Sequence, residues 1–440
     1  MPVTKVEFER AVHRGLGRAV QWLLNGAVVA DRDFILYACT HNLACDIQTE
    51  DYRSLYLFDI IHATGEPESY ARAVERTLDE WSGSKEDSDG PPISIGQMFE
   101  LLGLLAKSGD HSARQSLYSF FGKHAAELDA FDAEVLLDVD GLDGCVFVFR
   151  QWLGHPQPKE DEDDQRFDRF LLEKAEESFG VEETRLFLKQ AALTEPAFGA
   201  YLREVREKQA ARHKRKGQRP RRHWPDYAEI REAIFDTSKR YSPMMARYGE
   251  HLPAADAEQM ARELLAETDP KRLARCLLLF KRRPFPLNHT PLLALAQSAD
   301  QEVATSARAA LAQIEHPSVR ALALELLDTS LRPWELIEML TRNFCAGDEQ
   351  AIERVLSKTW DADELEWIGL KLRPLVKANL RPALSDALMR LYEEGYCTIC
   401  RSSVIELLAE FGPLPSSLVE ECRYDAYPDT RNFVQASIGN

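Results

Sequence analysis

The stretch SADQEVATSARAALAQIEHPSVRALALELL, residues 298–327, contains two apolar patterns of helical spacing with a break between them. The first places five apolar residues at i, i+4, i+7, i+8 and i+11, on one helix face: Val303, Ala307, Ala310, Leu311 and Ile314. A second pattern, residues 319–327, begins after the His-Pro step at 316–317. The stretch therefore predicts two consecutive amphipathic helices joined by a short turn.

Helical spacing of this kind continues through most of the chain, for example at Val404, Leu407, Leu408 and Phe411. The best strand candidate is CVFVFRQW, residues 145–152. It lacks a partner run with matching turn signals, so we interpret it as a buried helix. The predicted fold class is all-α, with about 60% helix or more.

A short turn sequence that ends in arginine recurs between the helices: GEPESYAR at Arg72, GDHSAR at Arg114, HPSVR at Arg320 and YPDTR at Arg431. In each, a Gly, Pro or Asp breaks one helix and a polar residue can cap the next, with the arginine near its start. Arg72 and Arg114 are 42 residues apart, a spacing typical of two-helix repeats.

Residues 298–327 and the stretch LVEECRYDAYPDTRNFVQA, residues 418–436, resemble HEAT-type helical repeats. That family places an Asp, a small or apolar residue and an Arg at the turn within a repeat. The clearest matches lie between residues 250 and 440, and the N-terminal half matches only loosely. The resemblance implies an α-solenoid of stacked helix pairs, since one pair alone cannot bury its apolar face. The alternative is a helical bundle without repeats.

Two breaks divide the chain. HPQPKEDEDD, residues 155–164, combines prolines with an acidic run, and KGQRPRRHWP, residues 216–225, contains one glycine and two prolines. We predict an N-terminal helical, repeat-like region at 1–155, a region with an acidic loop, helices and a basic segment at 156–225, and a HEAT-like array at 226–440.

The chain has a net charge of −18, which makes anionic membranes and free nucleic acid poor partners for most of its surface. Its eight cysteines form no regular framework, a usage typical of reduced thiols in the cytosol. No apolar run approaches the roughly 20 residues that span a bilayer, and no export signal is convincing. We expect a soluble, cytoplasmic protein with no membrane partner.

The stretch HNLACDIQTEDYR, residues 41–53, gathers metal-ligating and acidic side chains. If a helix runs from Phe34 to about Ile47, His41 and Cys45 stand at i and i+4 on its face away from the core. Zinc requires about four ligands, and no second ligand pair at close spacing follows. We therefore interpret the stretch as a joint between two helices.

The carboxylates of this joint have a structural explanation in the sequence. Thr49 is predicted to cap the next helix and to stabilise it by about 1 kcal/mol. Glu50 and Asp51 are predicted to complement the positive end of that helix's dipole. Asp46, Glu50 and Arg53 are retained as a candidate surface for a protein partner.

Other motifs carry no predicted chemistry. DVDGLDG, residues 138–144, has acids at the wrong positions for a calcium loop and is interpreted as a turn. CTIC, residues 397–400, has the spacing of a redox pair but lacks its usual filling residues and βαβ context, so core cysteines are predicted. We assign no catalytic residue, metal ligand or cofactor.

One segment stands out by charge. REVREKQAARHKRKGQRPRR, residues 203–222, carries +8, so the rest of the chain carries −26. This segment could contact phosphate or nucleic acid. There are three alternatives: the segment is a solvated helix end, it pairs with the acidic residues 160–164, or it binds an acidic protein. The candidate anion-binding residues, with an aromatic residue that can stack on bases, are Arg203, Arg206, Lys208, Arg212, Lys214, Arg215, Lys216, Arg219, Arg221, Arg222 and Trp224.

The predicted function is that of a non-enzymatic interaction scaffold, which binds a protein partner through its helical repeats and an anionic partner through the basic segment. The alternative is a HEAT-like enzyme that acts on DNA or RNA, of the base-excision (glycosylase) type. Such an enzyme requires a basic groove with a buried Asp beside aromatic residues.

Overall fold

The structure is a computed structural model of the 440-residue chain. It describes residues 3–26, 31–46, 49–50, 52–81, 94–128, 130–154, 167–216, 224–236 and 244–438. Within these ranges the regular elements are all helices, which account for 73% of the residues, and no strand is formed. No helix there is both long and apolar enough to cross a bilayer. The prediction of an all-α protein is confirmed.

The chain forms two compact units. Unit 1 comprises Met1–Pro220 and Ser416–Asn440. Its helices are α1 (Lys5–His13), α2 (Arg18–Leu24), α3 (Arg32–Thr40), α4 (Ser54–Ala63), α5 (Pro67–Asp79), α6 (Ile95–Lys107), α7 (His111–His124), α8 (Ala130–Asp140), α9 (Leu142–Gly154), α10 (Phe167–Phe179), α11 (Val181–Ala191), α12 (Pro196–Lys216), α25 (Ser416–Cys422) and α26 (Pro428–Ile438).

Unit 2 comprises Arg221–Pro415. Its helices are α13 (Tyr227–Phe235), α14 (Met245–His251), α15 (Ala254–Ala266), α16 (Pro270–Leu278), α17 (Thr290–Leu295), α18 (Gln301–Leu311), α19 (Pro317–Leu327), α20 (Pro333–Leu340), α21 (Glu349–Leu356), α22 (Ala362–Ala378), the 3-10 turn η1 (Pro382–Leu384), α23 (Ser385–Glu394) and α24 (Thr398–Glu410).

Each unit is built from helices that pack on the helix two places along the chain. In unit 1, α2, α4, α6, α8, α10 and α12 contact one another in that order, and α3, α5 and α7 form a second row. In unit 2, α16, α18, α20, α22 and α24 form one row, and α19, α21 and α23 form the other. Each unit therefore contains two rows of helices.

The stretch 298–327 folds into α18 and α19 as its periodicity predicts. Asp300 begins α18 because its carboxylate accepts the backbone N–H groups of Glu302 and Val303, at 3.0 and 3.1 Å. The His316 side chain caps α19 in the same way, by accepting the N–H of Ser318. Val303, Ala307, Ala310 and Leu311 of the first predicted face are buried, whereas Ile314 lies beyond the end of α18 and is half-buried.

Helix α9 covers the strand candidate at 145–152, and its apolar residues Cys145, Val148, Phe149 and Trp152 are buried. The interpretation as a buried helix is confirmed. The false calcium loop, residues 138–144, is the joint between α8 and α9. Gly141 turns the chain there with a φ of 61°, which favours glycine.

The arginines of the recurring turn sequence each bind an aspartate that lies elsewhere in the same unit. These arginine–aspartate pairs cross-link helix pairs with charge-assisted hydrogen bonds. They are Arg72 Nη2 to Asp110 Oδ1 at 3.2 Å, Arg114 Nε to Asp140 Oδ2 at 2.9 Å, Arg320 Nε to Asp348 Oδ2 at 2.9 Å and Arg431 Nη1 to Asp59 Oδ2 at 2.6 Å.

The last two helices pack in unit 1, although the sequence-based division placed them at the end of the 226–440 array. Arg18 Nε donates to Glu421 Oε1 at 2.7 Å, and the Ala426 N–H donates to the Gly15 carbonyl at 2.9 Å. Gly17 permits this approach, since a Cβ there would lie 1.9 Å from the Glu421 carbonyl oxygen. These partners are about 400 residues apart, which is why periodicity alone does not reveal the contact.

Candidate functional site

The candidate site lies at the start of α24 in unit 2, where the sequence CTIC occurs. Cys397 is the N-cap residue of α24, and its Sγ accepts the backbone N–H of Cys400 at 3.3 Å. Cysteine thus occupies a position that usually carries Ser, Thr, Asp or Asn. Both sulfur atoms therefore lie at the positive end of a 13-residue helix, where negative charge is stabilised.

Helix α22 supplies two charged side chains to this sulfur pair. Arg373 Nη2 donates to Cys400 Sγ at 3.3 Å, and Cys400 Sγ lies 3.6 Å from Glu366 Oε1 as a thiol donor. Glu366 and Arg373 are seven residues apart, which is two helical turns, so they project from the same face of α22. One oxygen of Glu366 and the two sulfur atoms all lie within 4.8 Å of one another.

The two thiols differ in exposure. Cys397 is only 6% exposed, whereas Cys400 is half-buried beside a small cavity of about 30 Å³. That space is sufficient for one or two water-sized molecules. Core cysteines were predicted from the sequence; burial fits that prediction for Cys397, but Cys400 is reachable from solvent. The cavity is lined by Leu365, Glu366, Gly369, Arg373, Leu391, Gly395, Tyr396, Cys397, Cys400, Arg401 and Val404.

The pKa of the Cys400 thiol is lowered from its usual value of 9.0. A hydrogen bond with the Cys397 side chain is the main cause and the charge of Arg373 adds to it, whereas burial and Glu366 oppose the shift. Burial raises the pKa of Cys145 and Cys276 to about 12, as expected for core thiols. Cys400 therefore has the electrostatic character of a reactive cysteine.

The same cluster could in principle hold a metal, because it brings together one carboxylate and two thiols. Structural zinc sites have four protein ligands and catalytic ones three plus water. In the described part of the chain the cluster contains three ligand side chains, and the Arg373 guanidinium lies 3.3 Å from the Cys400 sulfur. The positive charge of Arg373 repels a metal ion and stabilises a thiolate. The geometry therefore fits dithiol chemistry better than metal binding.

Residues 41–53 form a joint, but not in the way the sequence predicts. Helix α3 ends at Thr40 rather than near Ile47, so His41 and Cys45 are not on successive turns of one helix. Gln97 from α6 explains the early end, because its side-chain amide satisfies the carbonyls that a longer helix would bond. Gln97 Nε2 donates to the carbonyls of Ala38, Cys39 and His41, at 2.9, 3.3 and 3.0 Å.

Two of the three residues of the candidate partner surface, Glu50 and Arg53, are buried in this joint. Glu50 and Arg53 are 5% and 3% exposed and form an ion pair at 3.3 Å. Arg53 Nη1 also donates to the His13 carbonyl at 2.6 Å, which ties the joint to the end of α1. Asp46 is half-buried and accepts the Thr49 hydroxyl at 2.8 Å. Thr49 caps no helix, since α4 begins at Ser54 with Arg53 as its N-cap residue.

The basic segment 203–222 is described only in part. Helix α12 extends to Lys216. Arg203 is exposed. Arg206 is half-buried, with Nε and Nη2 shielded from solvent and without a hydrogen-bond partner among the residues described. Because its side chain is shielded in this way, Arg206 is a poor phosphate contact. Outside the described part lie the side chains of Lys208, Arg212, Lys214, Arg215 and Lys216, residues Arg219, Arg221 and Arg222, and the acidic residues 160–164.

Trp224 lies in unit 2, on an open cavity of about 240 Å³. One of its neighbours is His251, at 4.1 Å between ring centroids, and Tyr248 meets it edge-on at 6.3 Å. The indole is 38% exposed, so part of its surface is available for stacking.

The alternative of a base-excision enzyme would depend on a buried aspartate, and Asp168 on α10 meets that condition. Tyr201 donates its hydroxyl to Asp168 Oδ2 at 3.3 Å, and Phe149 lies against Tyr201 at 6.1 Å. The other oxygen, Oδ1, accepts the Arg169 N–H at 2.8 Å. These hydrogen bonds are internal to unit 1.

No family model, no curated protein and no solved structure matches this chain.

Proposed function

We propose that the protein is a cytosolic, non-enzymatic interaction scaffold of the HEAT-like solenoid type, which binds a protein partner. The observation that carries this proposal is an apolar stripe on the exposed face of α22, formed by Trp367, Leu370 and Pro374. Trp367 is 51% exposed and Leu370 37%. Their spacing of i, i+3 and i+7 places the three side chains along one line of the helix.

The stripe is distinct from the core face of the same helix. Leu365, Ile368 and Leu372 already anchor α22 in the core. An ordinary surface helix is apolar on its core face and polar on the opposite face. The exposed Trp and Leu on the outer face of α22 are therefore not explained by packing within the unit. Tryptophan is also among the residues that most often dominate the energy of protein–protein interfaces.

Pro374 adds a polar feature to the stripe. Because proline has no backbone N–H, residue 374 cannot donate the helical hydrogen bond to the Leu370 carbonyl. A carbonyl between two exposed apolar side chains offers a partner an acceptor as well as a contact surface. The stripe therefore suits an amphipathic helix or loop of a protein partner.

The test compares two double variants in a capture experiment from the native host. Trp367→Ser with Leu370→Ser removes the stripe. Leu186→Ser with Leu193→Ser removes two exposed leucines of unit 1 and serves as the matched control. We expect quantitative mass spectrometry to show a partner that is lost with the first variant and retained with the control, and the purified partner to bind directly. Identical capture by both variants would refute the stripe as the binding face.

The basic segment is proposed to contact an anionic partner such as nucleic acid. Replacing Lys214, Arg215 and Lys216 with Ala should weaken binding of a labelled oligonucleotide and reduce the salt slope by about 0.9 per lost duplex-phosphate contact, or about 0.7 for single strands. The control replaces three exposed lysines of unit 2, namely Lys271, Lys281 and Lys377. If native protein and control bind no oligonucleotide at low salt, the segment has another role.

The alternative enzymatic function rests on Asp168. Incubation of the native protein and of Asp168→Asn with duplex DNA that contains alkylated bases distinguishes the two functions. A scaffold releases no base from the duplex. Release by the native protein that Asp168→Asn abolishes, without loss of helix content, would establish the enzyme instead.

A further inference from the structure

The cysteines at the start of α24 have the geometry of a pair that can be oxidised. Cys397 has an extended backbone, with φ −74° and ψ 119°, so its side chain turns back over the first turn of α24 towards Cys400. The two sulfur atoms lie within 4.8 Å of each other. A disulfide requires about 2.05 Å between them, and residues three apart at a helix start can reach this distance by side-chain rotation.

The two cysteines have unequal roles in any such reaction. Cys400 is half-buried, borders the cavity and receives a hydrogen bond from Arg373. Cys397 also borders the cavity but is only 6% exposed. Cys400 can therefore attack a molecule from solvent first, and Cys397 is placed to attack Cys400 in the following step.

We infer that Cys397 and Cys400 form a redox-active dithiol, which low-molecular-weight disulfides of the glutathione class oxidise to an intramolecular disulfide. The Cys400 thiolate attacks one sulfur of the small disulfide, forms a mixed disulfide and releases one thiolate. Cys397 then loses its proton to water and attacks Cys400 Sγ, which releases the second thiolate. The dithiol loses two electrons and two protons, and the small disulfide gains them as two thiols.

Arg373 and Glu366 are positioning residues in this reaction. Arg373 stabilises the Cys400 thiolate. Glu366 accepts a hydrogen bond from the Cys400 thiol when the pair is reduced. A tenfold gain in thiolate raises the rate of exchange only about threefold, because a less basic thiolate is a weaker nucleophile. This function is independent of the partner binding proposed above.

The experiment follows oxidation of the reduced full-length protein by oxidised glutathione. Aliquots are quenched with N-ethylmaleimide and the cysteine peptides are identified by mass spectrometry. We expect the peptide that contains residues 397–400 to lose two hydrogen atoms, and the exposed thiols Cys45 and Cys345 to react more slowly than Cys400. Cys397→Ser should stop at a mixed disulfide on Cys400, and Cys400→Ser should leave Cys397 largely unreacted.

A second set of variants tests the electrostatic part without altering the cysteines. Arg373→Gln should slow alkylation of Cys400 about threefold or more and move its pH midpoint upwards, while Arg373→Lys restores part of the rate. Helix content by circular dichroism verifies that each variant is folded. Three results would each overturn the inference. Cys400 could react with oxidised glutathione no faster than Cys345, or a stable glutathione adduct could remain on Cys400 in the native sequence. Stoichiometric zinc that blocks oxidation of the pair would be the third.

Discussion

Replacement of Glu50 tests whether the joint at residues 41–53 is part of the core of unit 1. The Glu50 carboxylate faces the Arg53 guanidinium at 3.3 Å, and both side chains are almost completely buried. Its other oxygen accepts the backbone N–H groups of Cys45 and Asp46, at 3.0 and 3.2 Å. Glu50→Ala removes these contacts together and leaves a buried arginine without this carboxylate.

The expected loss of stability in Glu50→Ala is about 3–5 kcal/mol, the range for breaking one side of a buried ion pair. Glu50→Gln retains the shape and an acceptor for the backbone N–H groups, so about 1.5–3 kcal/mol is expected from the lost charge. Glu182 and Arg185 form a pair of the same i, i+3 spacing on the surface of unit 1, at 3.6 Å. Glu182→Ala should cost less than about 1 kcal/mol.

Hydrogen–deuterium exchange of peptides from α1 and α4 is the appropriate assay, because it reports on unit 1 separately from unit 2. A loss of 3–5 kcal/mol corresponds to exchange about 10²–10⁴ times faster, since 1.4 kcal/mol is about a factor of ten. The Glu182→Ala control should accelerate exchange less than about fivefold. If Glu50→Ala behaves like the control, the joint is a surface feature and the argument from burial fails.

Three further predictions concern the turns and helix starts. Thr49→Ala should cost less than about 0.5 kcal/mol in urea unfolding, since the hydroxyl caps no helix; a loss near 1 kcal/mol would restore the predicted cap. Burial raises the pKa of Asp110, but backbone N–H groups of α7 and the Arg72 guanidinium outweigh it, so the net pKa lies below 3.8. The stabilisation by Asp110 is therefore complete above that value and lost as the pH falls below it. Asp110→Asn should reduce this acid dependence in a pH series of exchange rates, and an unchanged series would contradict the assignment. Arg320→Ala should destabilise unit 2 by about 1–3 kcal/mol, because Asp348 is buried and loses two charge-assisted hydrogen bonds; unchanged unfolding would show that this pair is dispensable.

The sequence by itself determined the helical elements. Apolar spacing is a local property of the chain, and it was sufficient for α18 and α19 within residues 298–327 and for α9 over residues 145–152. The recurring turn arginines were also visible in the sequence, because each follows a helix break within a few residues. Their partners were not, since Arg431 binds Asp59 across 372 positions of the chain.

Only the tertiary structure decided which polar residues lie inside and which of them meet. Helix α3 stops at Thr40 because Gln97, from α6, binds its terminal carbonyls, and this early end draws Glu50 into the core with Arg53. The CTIC spacing was apparent from the sequence, but it gave no sign of reactivity. That character comes from two side chains of α22, about 30 residues earlier in the chain, which helix packing brings beside the Cys400 sulfur. The burial of polar residues and the contacts between distant residues depend on how helices pack, and the local apolar pattern does not encode them.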